Sequence, residues 1–296
     1  MKILFCDSGF SPKEVDYMYQ AEYDAAKQQG LAVALISFEA LKKGAVQEAL
    51  KRVRSVEEET LAIYRGWMLS ADLYQLFYEA LLERNIRLIN TPEAYAFCHY
   101  LPNSYDAIKE FTPKTIFRPL ETPFDIEAYK EDLAIFGEQA IIVKDYVKSQ
   151  KHYWEEACFI PNASDFDKVE TVTKRFIELQ DVDLNVGLVY REFVALQALT
   201  EHSVSGMPLT KEFRVFVKEG RIMQCFNYWD EGDYGDATVD VNFLETIIPK
   251  IKSQFFTIDV AQTKKGEWIV VELGDGQVSG FPEMVDKISF YSDLTV

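Results

Sequence analysis

The 296-residue sequence predicts an α/β domain with a parallel sheet, followed by a larger α+β unit with antiparallel sheets. Two observations support this fold class. In the first third of the chain, short apolar runs alternate with amphipathic ones, which is typical of a parallel sheet covered by helices on both sides. From Glu212 onward, the apolar runs form pairs, and a short turn that contains glycine joins the two runs of each pair. This pattern is typical of antiparallel hairpins.

The N-terminal domain contains four predicted strands: Lys2–Cys6, Leu31–Ile36, Leu61–Tyr64 and Ile86–Ile89. Capping residues mark the helices between them. Ser11 is followed by Pro12 and Glu14, which predicts a capped helix that runs to Gly30. Ser70 and Thr91 are expected to cap two further helices.

The remainder of the chain contains predicted strands at Lys114–Phe117, Ala140–Lys144 and Val186–Leu196, and a predicted helix at Ser164–Leu179. Two hairpins follow, with turns at Glu219-Gly220 and Lys265-Gly266. This order of elements predicts three units, which cover residues 1–101, 102–185 and 186–296.

The charge of the chain limits its partners. A formal net charge of −17 repels the phosphate backbone of nucleic acids and the anionic surface of membranes, so we expect neither as a partner. No apolar run reaches the length of a membrane span, and the first residues do not resemble a signal peptide. The cytoplasm is therefore the expected location. The four cysteines are scattered without a CxxC spacing, which gives no indication of a zinc site or a disulfide framework.

Three acidic residues near the C-terminus form a candidate metal site. If Lys265-Gly266 is a two-residue turn, Asp259 lies directly opposite Glu272, and both side chains point to the same face of the sheet. Two adjacent carboxylates repel each other unless a cation lies between them, and carboxylate oxygens suit Mg²⁺. Asp275 follows on a loop that could curl back toward them. The alternative is a solvent-facing polar edge of the hairpin.

Basic residues at strand ends form a candidate phosphate site. Lys144 closes an apolar strand, and Lys148 and Lys151 follow it in a loop, where lysines can hold phosphates as point charges. For Lys148 and Lys151 taken singly, a solvated surface lysine is the stronger interpretation. Arg214 lies on the polar face of its strand and could stabilise transferred phosphoryl charge, although an ordinary cross-strand ion pair would explain it as well.

Arg191 and Glu192 interrupt an otherwise apolar strand and need partners for their charges. The backbone from Glu192 through Phe193 to Val194 could hydrogen-bond the edge of an adenine ring. A structural Arg–Glu pair is an equally good explanation of the local sequence. Arg65 ends the third strand, where open α/β sheets bind ligands, and it is a candidate contact for a substrate carboxylate. His99 and Tyr100 could contact the same substrate together with Arg65. An ion pair between Arg65 and a carboxylate on a helix is an equally good explanation of the local sequence.

Taken together, these runs resemble the ATP-grasp superfamily, and most closely the clade named for two conserved arginines and a lysine. The runs that carry the resemblance are Asn90–Tyr95, Val143–Ser149, Arg191–Val194 and Gly274–Gly280. The resemblance implies ATP and Mg²⁺ as cofactors. It also implies that an acyl phosphate forms from ATP and a carboxylate, and that an amine then attacks it to give an amide. The substrates would be a carboxylate and an amine, carried on small molecules or peptides.

The resemblance assigns a role to each candidate. Lys144, Lys148 and Arg191 would contact the nucleotide, with Lys144, Arg191 and Arg214 as the catalytic residues. Glu192–Val194 would line the adenine hinge, and Asp259 and Glu272 would bind Mg²⁺. Many ATP-grasp enzymes have an asparagine two residues after the metal-binding glutamate, where this chain has Gly274, and Asp275 could replace that ligand.

Two other functions are compatible with the sequence. A nucleotide-binding module without catalytic activity would explain Gly274. A nucleotidyltransferase would use Lys144 as a covalent nucleophile, but such enzymes carry Lys-x-Asp-Gly, and here Asp145-Tyr146-Val147 follows the lysine.

Overall fold

A computed structural model describes residues 1–201, 203 and 208–295. Within that part of the chain, the strands form three four-stranded sheets and one two-stranded sheet. The predicted fold class is confirmed, because the first sheet is parallel and the other three are antiparallel.

The first sheet has the strand order β2-β1-β3-β4, and all of its strands are parallel. Its strands are β1 (Lys2–Cys6), β2 (Ala32–Ile36), β3 (Thr60–Arg65) and β4 (Ile86–Leu88). The helices of this region are α1 (Gln20–Gln28), α2 (Phe38–Lys42), α3 (Val46–Ala49), α4 (Ala71–Leu82), α5 (Pro92–His99) and α6 (Leu101–Ile108). Ser70 and Thr91 cap α4 and α5 as predicted, with their side chains accepting from Leu73 and Ala94 backbone N–H groups.

The first predicted helix begins later than expected. Ser11 does not cap it, because its backbone N–H and carbonyl are both bonded to the Ser8 hydroxyl in a local turn. Asp16 caps a 3-10 turn (Tyr17–Tyr19) instead, accepting from the Met18 N–H, and α1 follows from Gln20. The Ser11-Pro12-Glu14 spacing therefore marks a turn rather than a helix start.

The second sheet has the order β5-β8-β6-β7 and is antiparallel. Its strands are β5 (Thr115–Pro119), β6 (Ile141–Asp145), β7 (Phe159–Ile160) and β8 (Gly187–Glu192), and the associated helices are α7 (Lys130–Leu133), α8 (Trp154–Ala157) and α9 (Phe166–Gln180). Because β8 pairs with both β5 and β6, we propose that the second unit extends from residue 102 to Glu192 rather than to residue 185.

The predicted strand Val186–Leu196 ends early, at Glu192. Beyond it the chain leaves the second sheet and reaches the C-terminal hairpin. The Ala195 carbonyl accepts from Lys264, and the Gln197 N–H donates to Gln262. An apolar run thus continues across two sheets, which sequence pattern alone could not distinguish from one strand.

The third large sheet has the order β12-β11-β13-β14 and is antiparallel. Its strands are β11 (Glu212–Lys218), β12 (Arg221–Asn227), β13 (Phe255–Gln262) and β14 (Trp268–Asp275), and β9 (Ala198–Glu201) pairs with β10 (Pro208–Thr210) in a separate small sheet. The helices here are α10 (Val241–Ile247) and α11 (Lys287–Asp293). Glu219 and Gly220 have positive φ angles of 51° and 76°, as a tight hairpin turn requires.

The first and third sheets share one core. Ile3 and Phe5 of β1 pack in the same buried cluster as Phe216 of β11 and Phe255 of β13. This shared core fixes the N-terminal domain against the strands that carry the candidate site. In the described part of the chain, no helix has both the length and the apolar character needed to cross a membrane.

Candidate active site

The hairpin β13–β14 places Asp259 directly opposite Glu272, as predicted. The turn that produces this register differs from the predicted two-residue turn. The loop has three residues, because Thr263 rather than Lys264 bonds the Glu267 carbonyl, so pairing near the turn is offset by one residue. A β-bulge between Asp259 and Val260 leaves Val271 unpaired and restores the opposition.

Each carboxylate of this cross-strand pair is matched by a cation from another element. Arg214 of β11 donates from Nε and Nη2 to the two oxygens of Asp259, at 2.8 and 2.7 Å. Lys144 at the end of β6 donates from Nζ to Oε1 of Glu272 at 2.5 Å. The two carboxylates and their two cationic partners therefore carry no net charge as a group before any ligand binds.

Burial and charge act on these groups in opposite directions. Burial alone would raise the pKa of the Glu272 carboxyl, but the cationic groups of Lys144, Lys151 and Arg191 lower it below its ordinary value. Burial alone would lower the pKa of the Arg214 guanidinium, and the Asp259 carboxylate reverses that effect and raises it. The Glu272 carboxyl and the Arg214 guanidinium thus remain charged at neutral pH.

Arg191 of β8 is a buried cation without an ion pair in the part of the chain that the structure describes. Its Nη1 donates to the carbonyl of Val271 at 2.5 Å, and its Nη2 donates to the Val270 carbonyl and the Thr112 hydroxyl. Its Nε is buried and has no partner among the described residues. Burial lowers the pKa of this guanidinium to about 10, which shows how poorly its charge is compensated.

A cleft of about 400 Å³ joins these groups. Its walls include Lys144, Arg191, Arg214 and Glu272, together with Lys148 and Lys151 from the loop after β6. The side chain of Asp145 holds this loop in place, since its Oδ1 accepts from the backbone N–H groups of Val147 and Lys148. The cleft therefore concentrates positive charge, which suits a polyphosphate.

A second cavity of about 380 Å³ adjoins the first and shares Ile142, Lys151, Arg191 and Val271 with it. Its lining is mainly apolar and includes Ile142, Trp154, Phe159, Leu209 and Ile269. Glu192, Phe193 and Val194 form one side of it.

Of the three backbone N–H groups on that side, two are bonded within the part of the chain that the structure describes, and one is not. The N–H groups of Glu192 and Phe193 donate to the carbonyls of Lys114 and Ala140. The Val194 N–H has no partner in residues 1–201, 203 and 208–295. An apolar slot with an unpaired N–H at its edge can accept a flat heteroaromatic ring.

Asp275 lies on the opposite side of β14 from Glu272, because side chains alternate along a strand. It is fully buried, with Oδ2 accepting from Asn90 at 2.6 Å and Oδ1 accepting from Gln277 N–H at 2.9 Å. Burial raises the pKa of its carboxyl to about 7. The buried position of Asp275 and its internal hydrogen bonds therefore contradict the expectation that it completes the metal shell.

Arg65 is also structural rather than a substrate contact. Its side chain is 1% exposed and donates from Nε and Nη2 to Glu22 at 2.8 and 3.0 Å. Its Nη1 donates to three backbone carbonyls, those of Gly276, Gln277 and Ser279. Arg65 thus holds the loop after β14 against the N-terminal domain, and a substrate cannot reach it.

His99 and Tyr100 have different environments. His99 lines the cleft, is 7% exposed and stacks on Tyr95 with ring centroids 4.9 Å apart. Burial lowers the pKa of His99 to about 4, so its ring is neutral at physiological pH. The Tyr100 hydroxyl accepts from the Ala71 N–H at the start of α4, and Tyr100 is not among the residues that line the cleft, so its role as a substrate contact stays a prediction.

Sequence reasoning preferred the wrong alternative for one group, Lys151, and missed a second group. Lys151 was interpreted as a surface lysine, but it lines both cavities, and the carboxylates of Glu212, Glu272 and Asp259 outweigh burial and raise its pKa. The aromatic wall formed by Trp154 and Phe159, which stack with centroids 5.3 Å apart, was also missed. The aromatic residues next to the Lys148–Lys151 loop were the available signal.

The donor set fits a magnesium ion that is shared with a nucleotide. The described residues contain no group of three or more His, Cys, Asp or Glu side chains placed to hold a metal. Asp259 and Glu272 supply two carboxylates, and Mg²⁺ usually takes one or two from a protein and completes its shell with phosphate and water. A Cβ at Gly274 would lie 2.7 Å from Thr257 Oγ1, so this chain has no room for a third ligand at that position without a shift.

The chain is similar to known proteins in its sequence pattern and in its fold. The family model for the ATP-grasp domain of the R2K clade, family 3, matches residues 135–294. No curated protein matches the chain.

Among solved structures, the D-cycloserine synthetase DcsG superimposes with a TM-score of 0.61 at 13% identity, covering 99% of this chain and 98% of that one. The ATP-grasp ligase PsnB in complex with a phosphomimetic variant of its minimal precursor, Mg and ADP gives 0.59 at 12%, covering 99% and 97%. The D-alanyl-alanine synthetase A of Vibrio cholerae gives 0.58 at 14%, covering 100% and 93%. At these identities the likeness establishes a shared fold.

Proposed function

Because the chain belongs to the ATP-grasp domain family, R2K clade family 3, its class is that of an ATP-grasp enzyme, and we propose that it is a carboxylate–amine ligase. The observation that carries this proposal is the opposed Asp259 and Glu272, each neutralised by a cation on the wall of one cleft. When a ligand binds, the two ion pairs of such a site can break. The carboxylates are then available to a metal ion, and the cations are available to a polyphosphate.

The apolar cavity would bind the adenine ring, with the Val194 N–H donating to it. The triphosphate would then lie along the cleft beside Arg191, Lys144 and Lys151. A phosphate would stabilise the buried charge of Arg191 most, because this guanidinium has no carboxylate partner among the described residues. Several structural neighbours are solved with nucleotide, among them PsnB with ADP and PsnB with AMPPNP.

Asp259 and Glu272 would hold Mg²⁺ together with the phosphates. When bound, this ion neutralises phosphoryl charge. Arg214 and Lys144, released from the two carboxylates, would turn to the phosphate oxygens. In that position Arg214 stabilises the charge that develops as the γ-phosphoryl group moves to the substrate.

The proposed reaction has two steps. A carboxylate oxygen attacks the γ-phosphorus, and the bond to the β-phosphate oxygen breaks to release ADP. An amine nitrogen then attacks the acyl carbon, phosphate leaves, and the nitrogen loses a proton. The residues that line the cleft would shield the acyl phosphate from water between these steps.

The test is release of ADP and phosphate from ATP, measured with pooled carboxylates and amines in the presence of Mg²⁺. We expect turnover that requires Mg²⁺ and is lost in Glu272→Gln. The control is Glu267→Gln, which removes an exposed carboxylate from the same hairpin and should retain turnover. Glu272→Gln with wild-type turnover would contradict the proposal.

A second candidate, an ATP-binding module without turnover, is favoured by Gly274 and the closed space around it. Tight ATP binding with no turnover on any amine and carboxylate pool would support it. The nucleotidyltransferase alternative needs Lys144 as a free nucleophile, but Lys144 is ion-paired with Glu272. An AMP adduct on Lys144, detected by mass spectrometry, would revive it.

A further inference from the structure

Asn90 is a fully buried amide that connects the N-terminal domain to the hairpin β13–β14. It lies between β4 and α5, one residue before the cap of α5. Nothing in the proposed chemistry uses it, since its side chain is not among the residues that line the cleft.

The two polar side-chain atoms of this amide, Oδ1 and Nδ2, each form two hydrogen bonds, all with the hairpin or the residue before it. Its Oδ1 accepts from the backbone N–H groups of Gln254 and Phe255, at 3.1 and 3.0 Å. Its Nδ2 donates to the Phe255 carbonyl and to Oδ2 of Asp275, both at 2.6 Å. One side chain therefore joins the first residue of β13 to the last residue of β14.

The hairpin contains two registers, and the bulge at Val271 separates them. From the turn, Gln262 pairs with Trp268 and Val260 with Val270. From the open end, Phe256 pairs with Asp275, and this register continues to Asp259 and Glu272. The two carboxylates thus belong to the register of the open end, where Asn90 acts. A one-residue slip would turn one of them to the other face of the sheet.

We infer that Asn90 is a positioning residue for the Asp259–Glu272 pair: by joining Phe255 to Asp275, it holds the open-end register that sets the two carboxylates opposite each other. This inference rests on the proposed metal-binding role of that pair. Asp275, which lies outside the proposed metal shell, accepts the hydrogen bond from the Asn90 amide and so helps to hold the same register.

The test measures Mn²⁺ binding by electron paramagnetic resonance, in the presence of a non-hydrolysable ATP analogue, and analogue binding without metal. We expect Asn90→Ala to weaken Mn²⁺ binding about 10- to 100-fold, the range typical for residues that orient metal ligands. Metal-free binding of the analogue should stay at the wild-type value, because Asn90 does not touch the cleft.

Tyr291→Phe is the matched control. It also removes a buried hydrogen bond between the N- and C-terminal parts of the chain, from the Tyr291 hydroxyl to Glu22 at 2.7 Å, but this hydroxyl bonds no described residue of the hairpin. It should lower thermal stability and leave Mn²⁺ binding unchanged. Asn90→Ala with wild-type Mn²⁺ binding, or with an equal loss of metal-free analogue binding, would overturn the inference.

A second comparison applies if Asn90→Ala does not fold. Asn90→Asp sets a carboxylate against Asp275, and we expect it to weaken Mn²⁺ binding. Adding Asp275→Asn restores an amide–carboxylate contact in the reverse sense and should recover binding. No recovery in the double variant would overturn the inference. Separately, wild-type Mn²⁺ binding in Glu272→Gln would show that the proposed metal role itself is wrong.

Discussion

Arg191 donates from Nη1 to the carbonyl of Val271, which is the unpaired residue of the bulge that brings Glu272 opposite Asp259. A bulge leaves backbone groups outside the ladder, and a buried carbonyl without a partner is costly. The guanidinium thus provides hydrogen bonds from Nη1 and Nη2 to the carbonyls at the bulge. Its Nε remains unpaired in the described structure. Arg191, a residue of the second sheet, thereby stabilises the bulge in the third sheet and also lines the proposed phosphate site.

Arg191→Lys tests this connection. A lysine ammonium cannot reproduce the planar set of donors that reaches Val270, Val271 and Thr112 together. Loss of hydrogen bonds to a charged group costs about 1.5–3 kcal/mol, so we expect kcat/KM for ATP to fall roughly 10- to 150-fold. Arg175→Lys, an exposed change on α9, is the control. Wild-type kcat/KM in Arg191→Lys would contradict this role.

The proposed adenine contact can be tested through the backbone. Val194→Pro removes the unpaired N–H, whereas Val194→Ala keeps it and shortens the same side chain. A hydrogen bond of this kind contributes about 1 kcal/mol, so we expect the proline variant to bind ATP roughly fivefold more weakly. Calorimetric titration with an ATP analogue measures the difference. Equal affinities in the two variants would exclude a contact from the Val194 N–H.

Arg65→Met should act on stability rather than on substrate binding. It leaves the Glu22 carboxylate buried without its cation, and breaking a buried ion pair in this way costs about 3–5 kcal/mol. Denaturant unfolding should show that loss, and adding Glu22→Leu should recover part of it. A stable Arg65→Met protein with a raised KM for the carboxylate substrate would instead restore Arg65 as a substrate contact.

The buried His99 should titrate at low pH. Its pKa in the folded protein is about 4, below the ordinary value of 6.5, because burial disfavours the charged ring. The unfolded chain therefore binds a proton more readily, and the stability that His99 contributes is lost as the pH falls from 6.5 toward 4. Nuclear magnetic resonance of the imidazole protons should give a midpoint near 4, and a midpoint near 6.5 would contradict the buried environment.

The sequence predicted what depends on local pattern. Alternation of apolar residues and capping by Ser70 and Thr91 located the strands and two helices of the first domain. The opposition of Asp259 and Glu272 was also predicted, but from a turn that is one residue off. The compensating bulge depends on Arg191 from a distant strand, and local sequence carries no sign of that contact.

The remaining errors have the same origin. Arg65 and Asp275 are charged residues at strand ends, which is where ligands bind in many α/β proteins. Their partners, Glu22 and Asn90, are distant in sequence and satisfy them internally. Only the packing of the N-terminal domain on the third sheet shows which strand-end charges are buried and which face the cleft.

The most direct test of the central claim is a crystal structure with Mg²⁺ and a non-hydrolysable ATP analogue. We expect the adenine ring beside Val194, the phosphates beside Arg191 and Lys144, and the metal bound by Asp259 and Glu272. A nucleotide outside this cleft, or a metal bound without Glu272 while its ion pair with Lys144 persists, would contradict the account.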